Sequence, residues 1–223
     1  MDKTKSLRHA SIGYMRALVM LSAVLLVTQV SAQPFPSSSK FKVGMNAGVN
    51  GGLLIGDELE NETLFPSMVL GVYYRQKMGD NLNFSSELNA AYKGSNFNNG
   101  ITDAYSGVRL IYLDLPINLM FNTSGKDENQ WICAGLEPSY LLTSEIYIKP
   151  NDQKATYKDT MFNRPDLALV LGYHFDFYYF GLRPSVRWGL TNINSNFFLP
   201  NTNPPTGRGG TISNLVFDLK FYF

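Results

Sequence analysis

Catalysis needs a base, a nucleophile or a metal cluster, and this chain supplies few such parts. Its two histidines are His9 and His174. His9 lies in an N-terminal targeting segment. His174 lies beside a tight turn, on the side opposite the long connections, so a Ser–His pair on that other side has no base. His174 reads as a rim residue rather than a catalytic base. The single cysteine, Cys133, excludes a disulfide framework and a Cys-based metal site within one chain. Asp57, Glu58, Glu60 and Glu62 form an acidic patch. Such a patch could hold Ca²⁺ or another bridging cation weakly, and a solvated loop is the plainer account. Residues 201–210 (NTNPPTGRGG) are glycine-rich, but no helix follows to complete a phosphate-binding turn. No catalytic residue, cofactor site or metal site is predicted.

The chemistry the sequence does offer is ionic. Lys42, Arg75, Lys77, Glu87, Asp114, Glu137, Arg183, Arg187, Asp218 and Lys220 fall at alternate positions in segments whose other positions are apolar. Both signs are interspersed. If these faces enclose a narrow space, the charges must pair or each bear several kcal/mol of desolvation. The expected network comprises Arg75, Glu87, Asp114, Glu137, Arg183, Arg187, Asp218 and Lys220. It could serve only its own neutralisation, or line a gated polar conduit. Cys133 shares this polar face.

The elements that would position these groups are eight strands, each with period-two alternation. They are expected over residues 41–50, 67–77, 81–93, 108–121, 130–142, 166–175, 178–190 and 215–223. In the fourth, Ile111, Leu113, Leu115, Ile117, Leu119 and Phe121 form an unbroken apolar row. Pro116, Pro138 and Pro184 fall inside strands, where each removes a ladder donor, so bulges are expected near them. The connections alternate. Those at 78–80 and 176–177 are tight, and 122–129 is fairly short. Those at 51–66, 94–107, 143–165 and 191–212 are long and rich in Asn, Gly, Pro, Thr and Ser. An even strand count with short turns at one end and long loops at the other is the pattern of a bacterial outer-membrane barrel.

Alternation alone does not say which face points inward, since a soluble barrel buries its apolar face. Gly44, Gly48, Gly71, Gly135, Gly172, Gly181 and Gly189 all fall on the polar face, and small residues suit the interior of a narrow eight-stranded barrel. The polar face is therefore expected inside. Tyr73, Tyr74, Tyr92, Trp131, Tyr173, Tyr178, Tyr179, Phe180 and Trp188 gather toward strand ends, as interfacial girdles do.

Composition and targeting agree with this reading. The 223 residues carry a formal charge of +1, with 44% hydrophobic, 13% aromatic and 17% charged residues, which gives no electrostatic case for a nucleic-acid partner. Residues 1–32 read as a cleaved export signal: Lys3, Lys5, Arg8 and Arg16, then an apolar run at 17–30, then Val30-Ser31-Ala32. Residues 33–40 form a polar lead-in, and 41–223 form the barrel domain. After the signal no apolar run is long enough for a transmembrane helix, so any span must be made by strands. Both termini then lie in the periplasm. Residues 159–161 (Asp-Thr-Met) carry a short O-glycosylation-like pattern.

The chain ends on residues 215–223 (LVFDLKFYF), an alternating strand with an aromatic last residue. Phe221, Tyr222 and Phe223 resemble the terminal signal read by the barrel-assembly machinery. The stretches 112–121 (YLDLPINLMF), 134–142 (AGLEPSYLL) and 182–193 (LRPSVRWGLTNI) resemble the PorT-like outer-membrane β-barrel family of Bacteroidetes. That resemblance implies an outer-membrane location and an accessory link to type IX secretion. The expected function is structural or interaction-based, in contact with lipid and an envelope partner. A secretion accessory and a narrow transporter are the alternatives.

Overall fold

A computed structural model describes residues 40–56, 62–97, 107–125, 129–148, 153–155, 162–195 and 211–223. The export signal, the lead-in as far as residue 39, Asp57, Glu58 and Glu60 of the acidic patch, residues 159–161 and residues 201–210 lie outside the described residues. The strands are β1 (Phe41–Gly56), β2 (Glu62–Lys77), β3 (Leu82–Phe97), β4 (Gly107–Asp114), β5 (Ile117–Asn122), β6 (Gln130–Ile148), β7 (Gln153–Ala155), β8 (Pro165–Asp176), β9 (Gly181–Gly189) and β10 (Ile212–Tyr222).

All pairings are antiparallel, and the sheet closes. β1 pairs with β2 and β10, β10 with β9, β9 with β8, β8 with β6, and β2 with β3. β4 and β5 both lie between β3 and β6. They are one stave interrupted at Leu115-Pro116, because Asp114 faces Ser139 and Ile117 faces Leu136 in a common register. β7 pairs only with the far end of β6. The result is an eight-stave, all-β, closed antiparallel barrel, as expected. The last residue takes part: Phe223 N donates to Met45 O at 2.9 Å, and Met45 N donates to Phe223 O at 3.1 Å.

The polarity is inside-out. Leu70, Leu136 and Phe217 on the outer wall are 54%, 47% and 43% exposed, whereas Asp114 and Glu137 inside are fully buried. A wall that exposes its leucines and hides its carboxylates is stable only against hydrocarbon. Closure then satisfies the backbone groups that lipid cannot. The seven glycines named above lie on the inner face. Gly44 and Gly181 show why: a Cβ at Gly44 would sit 2.8 Å from the Tyr73 ring, and one at Gly181 would sit 2.7 Å from the His174 imidazole.

Several expectations are corrected. The register does not shift at Pro138 or Pro184, which pair with Leu167 and Leu219, although the β8–β9 ladder lapses at Pro184, between Gly172–Ser185 and Phe175–Leu182. Pro138 O accepts from Leu115 N at 2.9 Å, so its donorless nitrogen faces the β4–β5 interruption, where no regular ladder bond is needed. The shifts fall instead between Leu64 and Val69 on β2, around Pro66, and between Ile111 and Tyr112 against β6. The long connections are partly ladder. β1 runs to Gly56, β3 to Phe97 and β6 to Ile148, and Phe162 bridges Asn194. The seventh stave begins at Gly181 rather than at 178, because Tyr178 and Tyr179 occupy the tight turn.

Candidate functional site

The interior is the candidate site, built in tiers by side chains that alternate inward from facing staves. Nearest the short turns, Arg75 Nη1 donates to both carboxylate oxygens of Asp176, at 2.9 and 2.8 Å. Trp131 Nε1 donates to Asp176 Oδ2 at 3.1 Å. His174 Nε2 lies 2.7 Å from Arg75 Nη2 and 3.1 Å from Asp176 Oδ1. His174 is thus not a rim residue. It is fully buried, edge-on to Tyr222 at 5.0 Å between ring centroids. Tyr73 and Trp131, expected in the girdle, also point inward, with Tyr73 edge-on to Tyr222 at 5.2 Å.

The next tier centres on Glu87. It is ion-paired with Arg183 and with Lys220, the latter at 3.1 Å, and accepts from Tyr222 Oη at 3.0 Å. Asn89 donates to the same carboxylate at 3.0 Å. Above it, Arg187 gathers three carboxylates: Asp114 and Glu137, each at 3.1 Å, and Asp218 at 2.7 Å. Lys93 bridges Asp114 and Glu137 from the other side, each at 3.0 Å, and donates to Ser139 at 3.1 Å. Ser185 Oγ donates to Asp218 at 2.7 Å. Asp166 then accepts from Thr191 at 2.7 Å and from Asn214 at 2.8 Å.

The structure buries all eight residues expected in the polar network and brings seven of them together. Arg75 sits apart in the turn-side tier, and the other seven share the two central tiers. Lys42 is partly exposed and Lys77 exposed, at the turn-side mouth. Cys133 is buried beside Met120 and Trp131. Lys93, Asp166 and Asp176 were missed, although the same alternation marks them. Lys93 is in phase with Glu87 on β3, and Asp166 and Asp176 are in phase with His174 on β8. Phe221 faces outward and is exposed, whereas Tyr222 is buried in the interior.

Toward the long connections the interior changes character. Leu54, Val108, Leu110, Tyr112, Leu141, Phe162, Ile193 and Ile212 form one buried apolar cluster. Phe162 and Ile193 come from connecting segments folded over the end, pinned by the Phe162–Asn194 bridge and by Ile193 N donating to Ile212 O at 2.9 Å. The polar interior thus ends under an apolar cap. Alternation had no means of showing this, because the inward positions switch from polar to apolar while the phase stays the same. Ion pairs line the lumen and the apolar cluster covers one end. Chemically this arrangement neutralises buried charge.

The solved structures similar to this chain share little of its sequence. Neisserial surface protein A superposes with a TM-score of 0.50 at 9% identity, over 82% of this chain and 96% of that one. Ail, the attachment invasion locus protein of Yersinia pestis, gives 0.48 at 11% identity, over 81% and 95%. OprG of Pseudomonas aeruginosa gives 0.37 at 12% identity, over 82% and 93%. No curated protein matches the chain. Residues 31–195 match the outer membrane protein beta-barrel domain family, and with most of the chain inside that match the protein belongs to that family.

Proposed function

We propose that this protein is a non-conducting, non-enzymatic barrel of the outer membrane, acting as a structural or interaction component of the cell envelope. In this reading residues 1–32 are removed on export, both termini lie in the periplasm, and the long connections meet a partner outside. One observation carries it: the lumen holds paired charges from Asp176 to Asp166 and then a buried apolar cluster from Leu54 to Ile212. Eight staves leave an interior only wide enough for side chains. An ion would have to break several buried pairs and then cross an apolar cap. Planar-bilayer recording of the refolded barrel should show no unitary steps. Steady single-channel currents would replace this reading with the narrow transporter.

The partner is the open half of the proposal. The PorT-like resemblance of residues 112–121, 134–142 and 182–193 supports an accessory role in type IX secretion in a member of the Bacteroidetes. Co-purification of secretion components with the tagged barrel is expected under that role. Intact secretion in a deletion strain would leave the general envelope role. Assembly is assigned to Phe221, Tyr222 and Phe223, presented to the barrel-assembly machinery during insertion.

A further inference from the structure

We propose that a pocket on the outer wall of the barrel, at the upper edge of the apolar belt, binds the phosphorylated sugar head of a membrane glycolipid. The pocket has a volume of about 420 Å³ and is lined by Phe65, Pro66, Ser67, Met68, Tyr92 and Arg109. It exists because β2 carries one extra residue between Leu64 and Val69 against β3, and the bulge around Pro66 interrupts the β2–β3 ladder while Pro66 stays paired with Gly51 on β1. Ser67 Oγ donates to Tyr92 O at 2.8 Å and fixes the bulge.

The position selects an amphiphile. Leu64 and Ile55 carry exposed apolar surface further along β2 and β1, while at the pocket itself Met68 pairs with Val49 and Tyr92 with Ile111. Arg109 faces Glu145 in the first charged row beyond them. Below the pocket Met68, Leu70 and Leu88 offer bare hydrocarbon wall for acyl chains. At its upper edge the Arg109 guanidinium lies 5.3 Å from the Phe65 ring and 5.7 Å from the Tyr92 ring, and Arg109 Nη1 lies 3.9 Å from Glu145 Oε2. Stacking of this kind holds the planar fork of an arginine in place, and Arg109, partly exposed, adds its charge to the pocket beside the contacts it already makes. A sugar ring, with one apolar face, suits the tyrosine and proline surfaces beside that phosphate. Cation, aromatic walls and hydrocarbon thus occur in the order in which phosphate, sugar and acyl chain occur in such a lipid. The assignment to the outer leaflet rests on the orientation proposed above; the binding chemistry does not.

The test uses the refolded full-length barrel in detergent, with native mass spectrometry as readout and bis-phosphorylated lipid A as probe. Wild type should retain lipid A. Arg109→Gln should weaken retention about tenfold, as loss of an ionic contact does, and Arg109→Lys less, since the charge remains. Tyr92→Leu keeps apolar bulk but removes the ring face, and should weaken lipid A without affecting phosphatidylglycerol. Heat-modifiable gel migration verifies folding; should Arg109→Gln not fold, the lysine and Tyr92 variants carry the same comparison. Equal retention by all variants, equal retention of dephosphorylated lipid A, or displacement of lipid A by equimolar phosphatidylglycerol would each overturn the proposal. Orientation is read separately, by surface labelling of engineered cysteines, so the two ideas fail in different experiments.

Discussion

Arg187 holds three carboxylates on one guanidinium, and among the described residues Lys93 is the other cation paired with Asp114 and Glu137. Burial of that order is costly unless every partner is present. Removing one member should therefore cost more than its own pair was worth, about 3–5 kcal/mol. Arg187→Leu is predicted to lower the urea midpoint of the refolded barrel by that order without changing its secondary structure. A second change, Glu137→Leu, should recover part of the loss, because it removes one of the stranded charges. A double variant less stable than either single would sink this account. A gentler change tests the packing beside it. Gly181→Ala places a methyl 2.7 Å from the His174 ring, which is itself held by Arg75 and Asp176. Overpacking at such a site costs about 1–3 kcal/mol, and the same denaturation series measures it.

Among the elements, β10 joins the two ends of the barrel. It carries Asp218, Lys220 and Tyr222 inward, and the residue after it closes the ladder on Met45. Deleting Tyr222 and Phe223 removes those two backbone bonds and the Tyr222–Glu87 hydrogen bond, so the yield of folded barrel in the membrane should fall. Quantifying the heat-modifiable band against total protein checks this; an unchanged fraction would remove the terminal residues from assembly. The cap is the second element to test. Phe162→Ala empties a buried position contributed by a connecting segment, at an expected cost of about 3–5 kcal/mol. The staves and their inward charges were legible in the sequence because a strand has a strict period of two, so Glu87 and Lys220 could be placed from their neighbours alone. The cap was not legible, since Leu54, Val108 and Ile212 look like any apolar alternation until the neighbouring staves show which side they share. The directions of Tyr73 and Trp131 were missed for a related reason. An aromatic near a strand end suits a girdle or a lumen equally well, and here the phase decides for the lumen. Pro138 was misjudged because its effect depends on the defect in the stave beside it.

At the scale of the whole molecule, polarity inverts along the barrel axis. On β6 the outward apolar positions run from Ile132 to Leu142, with Glu145 beyond them. Ten residue steps cover ~33 Å of strand and, at a tilt of ~40°, ~25 Å of axis, which equals the apolar band of a membrane barrel. Beyond that band the outer wall carries Arg109, Glu145 and Arg164 beside exposed Leu64 and Ile55, while the interior becomes apolar, so around those charges this end resembles a water-facing sheet over its own core. Among the described residues the opposite end has no such head. Its turns are short, and Phe177, Tyr178 and Tyr179 stand exposed around one of them. Two ends so different suit one fixed orientation, and the proposed one puts the capped head outside the cell and both termini in the periplasm. Cysteine introduced at Glu62, on the head side, should react with a membrane-impermeant maleimide on intact cells. Cysteine at Gly79, where open space tolerates a side chain, should react only after the outer membrane is permeabilised. The native Cys133 is fully buried and should stay silent while the barrel is folded. Labelling at residue 79 with silence at residue 62 would turn the barrel over, and with it the leaflet assigned to the Arg109 pocket.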